Sequence, residues 1–410
     1  MRWHPLCLLG LLACAGSSLP AGEPSVRPGI EVLLSDSLHL IRGRRVGLLS
    51  NHTGVDRSGR RDTDLLRAAH GVRLTVLFSP EHGFRGLENR PGLPDETDST
   101  TGLPIYSLYS GSRPPNLGGL DSLEVLLIDL QDIGARYYTY VASAVMLTRE
   151  AARRGKRVVI LDRPNPIGGE LVQGNVREAA APVELLVGIL PVPMRHGMTL
   201  GELVRLANDV YAIGADLTVV PAAGWTRARY FDATGLPWVQ PSPNMPDLES
   251  ALHYPGVCLF EGTNLSVGRG TAFAYQVIGA PWLDPAVLLG QLRGAGLREA
   301  LHGVDIQATE FTPIAPTDGK YDGVTLRGVR LRVANRAAYD PTRTAIALLA
   351  AIRAVHGDSL RFRDAGFDRL AAGAELRAAL VTGRGPGAIW AAWEPALARF
   401  REQRAKYLLY

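Results

Sequence analysis

Four carboxylates accompany short apolar, β-branched runs: Glu81 behind LTVLFS, Asp132 behind VLLIDL, Asp162 at the close of RVVILD, and Glu261 within VCLFEG. Splitting a glycosidic bond calls for a pair of such groups across a cleft, one protonating the leaving oxygen while the other attacks or activates water. Partial burial raises a carboxyl's pKa and suits it to general-acid work. Glu81, followed by His82 and the flexible Gly83, is the first choice for that task. A helix-terminal carboxylate that only caps backbone amides is the competing reading. Arg136, Arg163, Arg195 and Arg269 lie in polar stretches. The planar guanidinium fork matches a carboxylate, so such a cluster suggests an acidic substrate, unless each pairs with Asp132, Asp162 or Glu202 to hold loops together. His82 and His196 have the chemistry either to shuttle protons or to make structural hydrogen bonds. Tyr137, Tyr138 and Trp225 either stack on a sugar ring or fill the core.

Strand ends would gather these groups. The runs RVGLLS (45–50), LTVLFS (74–79), VLLIDL (125–130) and RVVILD (157–162) read as buried strands. Between the last two, an amphipathic pattern from Tyr140 to Arg154 predicts a helix stopped by Gly155. Strand, helix and strand at this spacing imply a right-handed parallel crossover, hence an α/β fold with a doubly wound parallel sheet. Ligands of such sheets sit at the C-terminal strand ends. There the chain places Asn51-His52-Thr53-Gly54, Pro80-Glu81-His82-Gly83, Gln131-Asp132-Ile133-Gly134-Ala135-Arg136 and Arg163-Pro164-Asn165-Pro166. Farther on, MTLGELVRLANDVY (198–211) predicts a helix with Thr199 and Glu202 as a capping box, and ADLTVVP a strand. The Pro-rich LPWVQPSPNMP (236–246) reads as an irregular connection, with a domain boundary close after it. The expected layout is a Rossmann-like catalytic domain over 28–247 and a smaller α/β domain over 248–410. The latter would hold a strand at VCLFEG, a helix near 284–295, a strand at 325–333, and helices from Pro341 and Pro386.

With 410 residues, 46% of them apolar and 20% charged, the chain is long enough for two globular domains. Its first 22 residues join Arg2 to an apolar run from Leu6 to Ala15 and small residues at Ala13 and Ala15, the build of a secretory signal peptide. Export to the periplasm or exterior is the expectation. Cys14 resembles a lipoprotein processing site, which leaves a membrane anchor open. Cys7 and Cys14 fall in this leader, so the body keeps Cys258 alone, excluding an internal disulfide or a thiolate zinc site. A net charge of +4 with scattered arginines singles out no nucleic acid partner. The chain carries no G-x-G-x-x-G, G-x-x-x-x-G-K-[ST], H-E-x-x-H or G-x-S-x-G motif. Dinucleotide or nucleotide cofactors, a zincin metal and a serine-hydrolase elbow are thereby set aside, and no cofactor is expected.

Taken together, SPEHGFRG (79–86), DLQDIGARYYTY (129–140), ILDRPNPIGG (160–169), VPMRHGMTLGEL (192–203), GLPWVQPSPNMP (235–246), YPGVCLFEGTNLSVGRGT (254–271) and IGAPW (278–282) resemble the YbbC-like, or NamZ, family of exo-β-N-acetylmuramidases. That resemblance implies a Rossmann-like N-terminal domain bearing the cleft, a smaller C-terminal domain, and release of N-acetylmuramic acid (MurNAc) from the non-reducing ends of peptidoglycan-derived MurNAc-GlcNAc glycans. Carried over by motif position, it points to Glu81, then Glu261, with Asp132, Asp162 and His196 as further catalytic candidates. His82, Gln131, Arg136, Tyr138, Arg163, Asn165, Arg195, Asn244, Asn264 and Arg269 are the expected sugar-binding positions. Gln173 in LVQGNV stands where many relatives carry Glu, so an essential carboxylate is not expected there. Another peptidoglycan-processing hydrolase and a non-catalytic periplasmic glycan-binding protein are the alternatives that share this fold.

Overall fold

The computed structural model describes residues 25–410 apart from 91, 112, 113 and 295. The leader expected over 1–22, including Cys14, lies outside the described residues. Each of the four apolar runs is a strand of one seven-stranded sheet: β1 (Arg45–Ser50), β2 (Arg73–Ser79), β5 (Val125–Asp129) and β6 (Arg157–Leu161), joined by β3 (Glu96–Thr97), β4 (Pro104–Ser107) and β9 (Leu217–Val220). The order is β3-β4-β2-β1-β5-β6-β9, parallel throughout except at the β3–β4 edge. Alternate residues feed opposite faces, as the pleat requires. Val46, Leu48, Leu77, Val125, Leu127, Val159 and Leu161 pack with helices α1 (Gly29–Asp36) and α2 (Asp62–Ala68), whereas Leu49, Phe78, Leu126, Ile128 and Ile160 pack on α3 (Tyr140–Arg153) and α4 (Leu200–Val210). Thr199 and Glu202 form the expected capping box at the start of α4. A two-stranded hairpin, β7 (Gln173–Val176) with β8 (Pro193–Arg195), fills out the connection between β6 and α4.

The second domain packs α5 (Leu248–Val257), α6 (Pro285–Leu292), α7 (Pro341–His356), α8 (Asp364–Ala371), α9 (Glu375–Val381) and α10 (Pro386–Arg404) about a three-stranded antiparallel sheet. That sheet runs β10 (Val277–Ala280), β12 (Leu326–Val333), β11 (Val304–Phe311). The helices expected near 284 and from Pro341 and Pro386 are present; Asp284 and Asp340 cap the first two and a proline opens each. The expected strand at VCLFEG is absent. Asp247 caps α5 by accepting the Ser250 N–H at 2.8 Å, the helix continues to Val257, and Cys258–Gly262 tightens into a 3₁₀ turn. A short apolar run does not distinguish a buried strand from a buried helix end. Here Gly256 decides, since it lets α5 lie so close to α7 that a Cβ would meet the Pro341 carbonyl oxygen at 1.9 Å. One apolar core crosses both domains, joining Ile128 and Val145 to Leu348, Ile352 and Phe400. Among the described residues no helix is long and apolar enough to cross a membrane.

Candidate functional site

The strand order reverses between β1 and β5, where an open α/β sheet usually binds its ligand. In this chain Phe231 and the start of the Pro-rich segment fill that crevice: Phe231, Leu236, Pro237, Trp238 and Val239 close over Thr53, Gln131 and Arg163, leaving a gap of about 10 Å³. The open cleft lies one strand over, at the end of β2, and faces the second domain. Glu81, His82, Tyr138, Thr139, Ser242 and Asn244 line one side, and Tyr254, Arg269 and Tyr275 the other, around about 90 Å³. Glu81 is the one carboxylate in this lining. Its Oε2 accepts the Thr139 hydroxyl at 2.5 Å. The nearby Tyr109 phenol is pushed up to about 12 by burial and then by the Glu81 carboxylate. His82 takes a left-handed φ of 71°, held by its Nδ1–H donating to the Glu88 carbonyl at 2.6 Å. The buried Tyr138 hydroxyl, near Ser242 and Tyr140, has no hydrogen-bond partner of good geometry, which leaves a donor for a ligand.

Glu261 stands behind this lining, on the 3₁₀ turn after α5. Its Oε1 accepts Arg269 Nε at 2.6 Å and the Tyr275 hydroxyl at 2.7 Å, while Arg269 also donates to the Tyr275 oxygen at 2.8 Å. Burial opposes the Arg269 charge, yet the Tyr275 and Glu261 groups hold its pKa well above the usual value. The guanidinium reaches on to Thr317 at 2.9 Å, and Asn244 approaches the same hydroxyl at 3.3 Å. Lys320 donates to the carbonyls of Glu261 and Leu265 at 3.2 and 2.8 Å, pinning the 312–323 segment to this turn. Burial lowers that ammonium to about 8. The arrangement places one carboxylate and one fixed cation in the lining of a single tyrosine-walled cleft.

The remaining expected positions lie outside the cleft lining, spent on internal bonds. Asp162 accepts Thr199 at 2.6 Å, the Gly201 N–H at 2.8 Å and the Tyr410 hydroxyl at 2.8 Å; burial still raises it to about 6. Asp132 accepts the Gly134 N–H at 2.7 Å, and burial raises it to about 7. His196 Nε2 lies 3.7 Å from Asp132, and burial drops the imidazole to about 3. Arg163 forks onto the buried Asp129, and Arg195 bonds Gln173 and the Ile167 carbonyl. Gln131 donates to the Asp132 and Pro164 carbonyls, and Asn165 to Met198. Arg136 ties Asn175 to the Leu370 carbonyl of the second domain, and Asn264 holds the Ser359–Arg361 strip. Thr139, Tyr109, Tyr275, Thr317 and Lys320 complete the site without having been singled out from the sequence. Only Thr139 carried a signal, as the neighbour of Tyr137 and Tyr138 in YYTY.

Residues 46–249 match the family model described as "Exo-beta-N-acetylmuramidase NamZ, N-terminal", and residues 252–410 match its C-terminal counterpart. The chain is similar to the peptidoglycan beta-N-acetylmuramidase NamZ of Bacillus subtilis (strain 168), with 37% identity over 99% of this chain and 97% of that protein. Two solved DUF1343-family proteins of Bacteroides fragilis NCTC 9343 share 30% identity over 94% of this chain and 99% of theirs, with TM-scores of 0.84 and 0.75. With both halves of the chain matched in order, and a relative alike over nearly its whole length, this protein belongs to the NamZ family.

Proposed function

We propose that this protein is an exo-acting β-N-acetylmuramidase, a glycoside hydrolase that releases MurNAc from the non-reducing ends of peptidoglycan fragments. The observation that carries it is Glu81, the one carboxylate among the described residues lining a tyrosine-walled cleft that Arg269 also lines. In this reading the Glu81 carboxyl protonates the glycosidic oxygen as the bond to C1 breaks; water then adds at C1, its oxygen becoming the hydroxyl of the released sugar and its spare proton returning to the Glu81 carboxylate. Arg269, oriented by Glu261 and Tyr275, meets the lactyl carboxylate that distinguishes MurNAc from its neutral neighbour in the wall. The similarity to a named muramidase over the whole chain supports the substrate class. Export and a lipid anchor at Cys14 belong to the same proposal and rest on the leader sequence alone.

Incubation with MurNAc-GlcNAc and with a chromogenic β-MurNAc glycoside, beside Glu81→Gln, tests it. The wild type should liberate MurNAc from both, and the variant should lose about 10²- to 10⁴-fold in kcat, the usual worth of a general acid. Binding of the disaccharide without cleavage would make the protein a glycan binder. Cleavage at full rate by the variant would remove Glu81 from the mechanism.

A further inference from the structure

A second cavity, of about 370 Å³, opens on the far side of the loop that carries Glu81. Glu81 and His82 face the cleft, while Phe84 and Arg85, two and three residues on, face this cavity, so the loop acts as a partition. The volume falls in the range of small-ligand sites, roughly 300–1,000 Å³. Two side chains deep in it, Asp62 and Thr63, are almost fully buried, and neither Asp62 oxygen nor the Thr63 hydroxyl meets a donor or acceptor partner of good geometry. Burial and then the neighbouring Asp129 push the Asp62 carboxyl well above its ordinary range. Buried polar groups left this way call for a ligand or solvent that both donates and accepts. Phe84 adds an apolar ring to the lining. At the mouth, Arg85 donates to Ser99 at 2.7 Å and makes no ion pair with the described residues, so its charge is available. Arg61, its neighbour in the lining, is already forked onto Asp64.

Wall glycan alternates MurNAc with GlcNAc, so the sugar two places beyond a scissile MurNAc bond is again acidic. We infer that this cavity is a remote subsite for that second leaving-side unit, its hydroxyls reaching Asp62 and Thr63 and its carboxylate meeting Arg85. The inference rests on the muramidase reading of the Glu81 cleft and adds a preference for longer chains to it.

Its test compares the tetrasaccharide MurNAc-GlcNAc-MurNAc-GlcNAc with the disaccharide MurNAc-GlcNAc, in wild type and in Arg85→Ala. The wild type should favour the tetrasaccharide about tenfold in kcat/KM, which corresponds to about 1.4 kcal/mol. Arg85→Ala should erase most of that preference while leaving disaccharide turnover unchanged, and Arg85→Lys should restore part of it. Equal rates on both substrates in the wild type, or an equal loss on both in the variant, would overturn the subsite. Calorimetric binding of the tetrasaccharide to Glu81→Gln, with and without Arg85→Ala, separates the two ideas. If the wild type cleaves neither glycan but Arg85→Ala still weakens binding about tenfold, the cleavage reading fails and the acidic-sugar site stands; if binding is indifferent to Arg85, the site fails.

Discussion

Glu81 and Glu261 meet different company, and their substitutions should read differently. Glu81 touches the substrate in this account, so Glu81→Gln lowers kcat. Glu261 acts through Arg269 and Tyr275, so Glu261→Gln should raise KM about tenfold with kcat within about threefold, a split visible in initial-rate curves. Asp132 makes a prediction about pH. Folded, it keeps its proton up to about 7, against an ordinary value of 3.8. Between those values the folded state binds more protons than the unfolded chain, so this group's contribution to stability falls as pH rises. Asp132→Asn keeps an acceptor for the Gly134 N–H and removes that loss. Chemical denaturation should therefore show the variant gaining ~2–3 kcal/mol on the wild type between pH 5 and pH 8; a constant difference would contradict it. At this scale the sequence was a partial guide. Glu81, His82, Tyr138, Asn244 and Arg269 do share the cleft, but the type and strand-end position of Asp162 or Arg163 say nothing of which partner a fold supplies.

The element that aims Glu81 is the loop after β2, and glycine sets its path. Gly86 takes φ of 70°, and a Cβ there would fall 1.8 Å from the His52 ring. His52 is itself anchored to the Gln240 carbonyl at 2.6 Å and has little room to yield. Gly86→Ala should displace the loop and cost about 10- to 100-fold in kcat/KM on the chromogenic glycoside, since small misplacements of a catalytic group are expensive. Unchanged kinetics would show that the loop does not aim the acid. Periodicity revealed the sheet, α3 and the capped α4, because each is a local pattern whose polar and apolar faces match its packing. Two facts were not local: that segment 231–239 plugs the strand-order reversal, and that Gly256 draws α5 onto α7 and turns VCLFEG from strand into helix end.

Across the whole molecule the two domains share their core, and the last residue returns to the first sheet. Tyr410 donates to Asp162 at 2.8 Å, accepts the Ala222 N–H at 2.8 Å, and stacks edge-on to Trp225. Tyr410→Phe strips a buried carboxyl of one donor and should cost about 1–3 kcal/mol in denaturant unfolding. With apolar contacts continuous from Val145 to Phe400, residues 46–249 expressed alone should fail to give a cooperative transition, whereas the full chain should give one. Two independent transitions in the full chain would refute the shared core. Interdomain packing of this sort lies beyond what composition and motif order convey, yet it brings Arg269 of one half and Glu81 of the other into the lining of one cleft. The most direct check is a crystal structure of Glu81→Gln with MurNAc-GlcNAc bound. The glycosidic oxygen should lie within about 3 Å of the side chain at position 81 and the lactyl carboxylate at Arg269; a disaccharide seated elsewhere, with position 81 facing only protein, would contradict the general-acid role of Glu81.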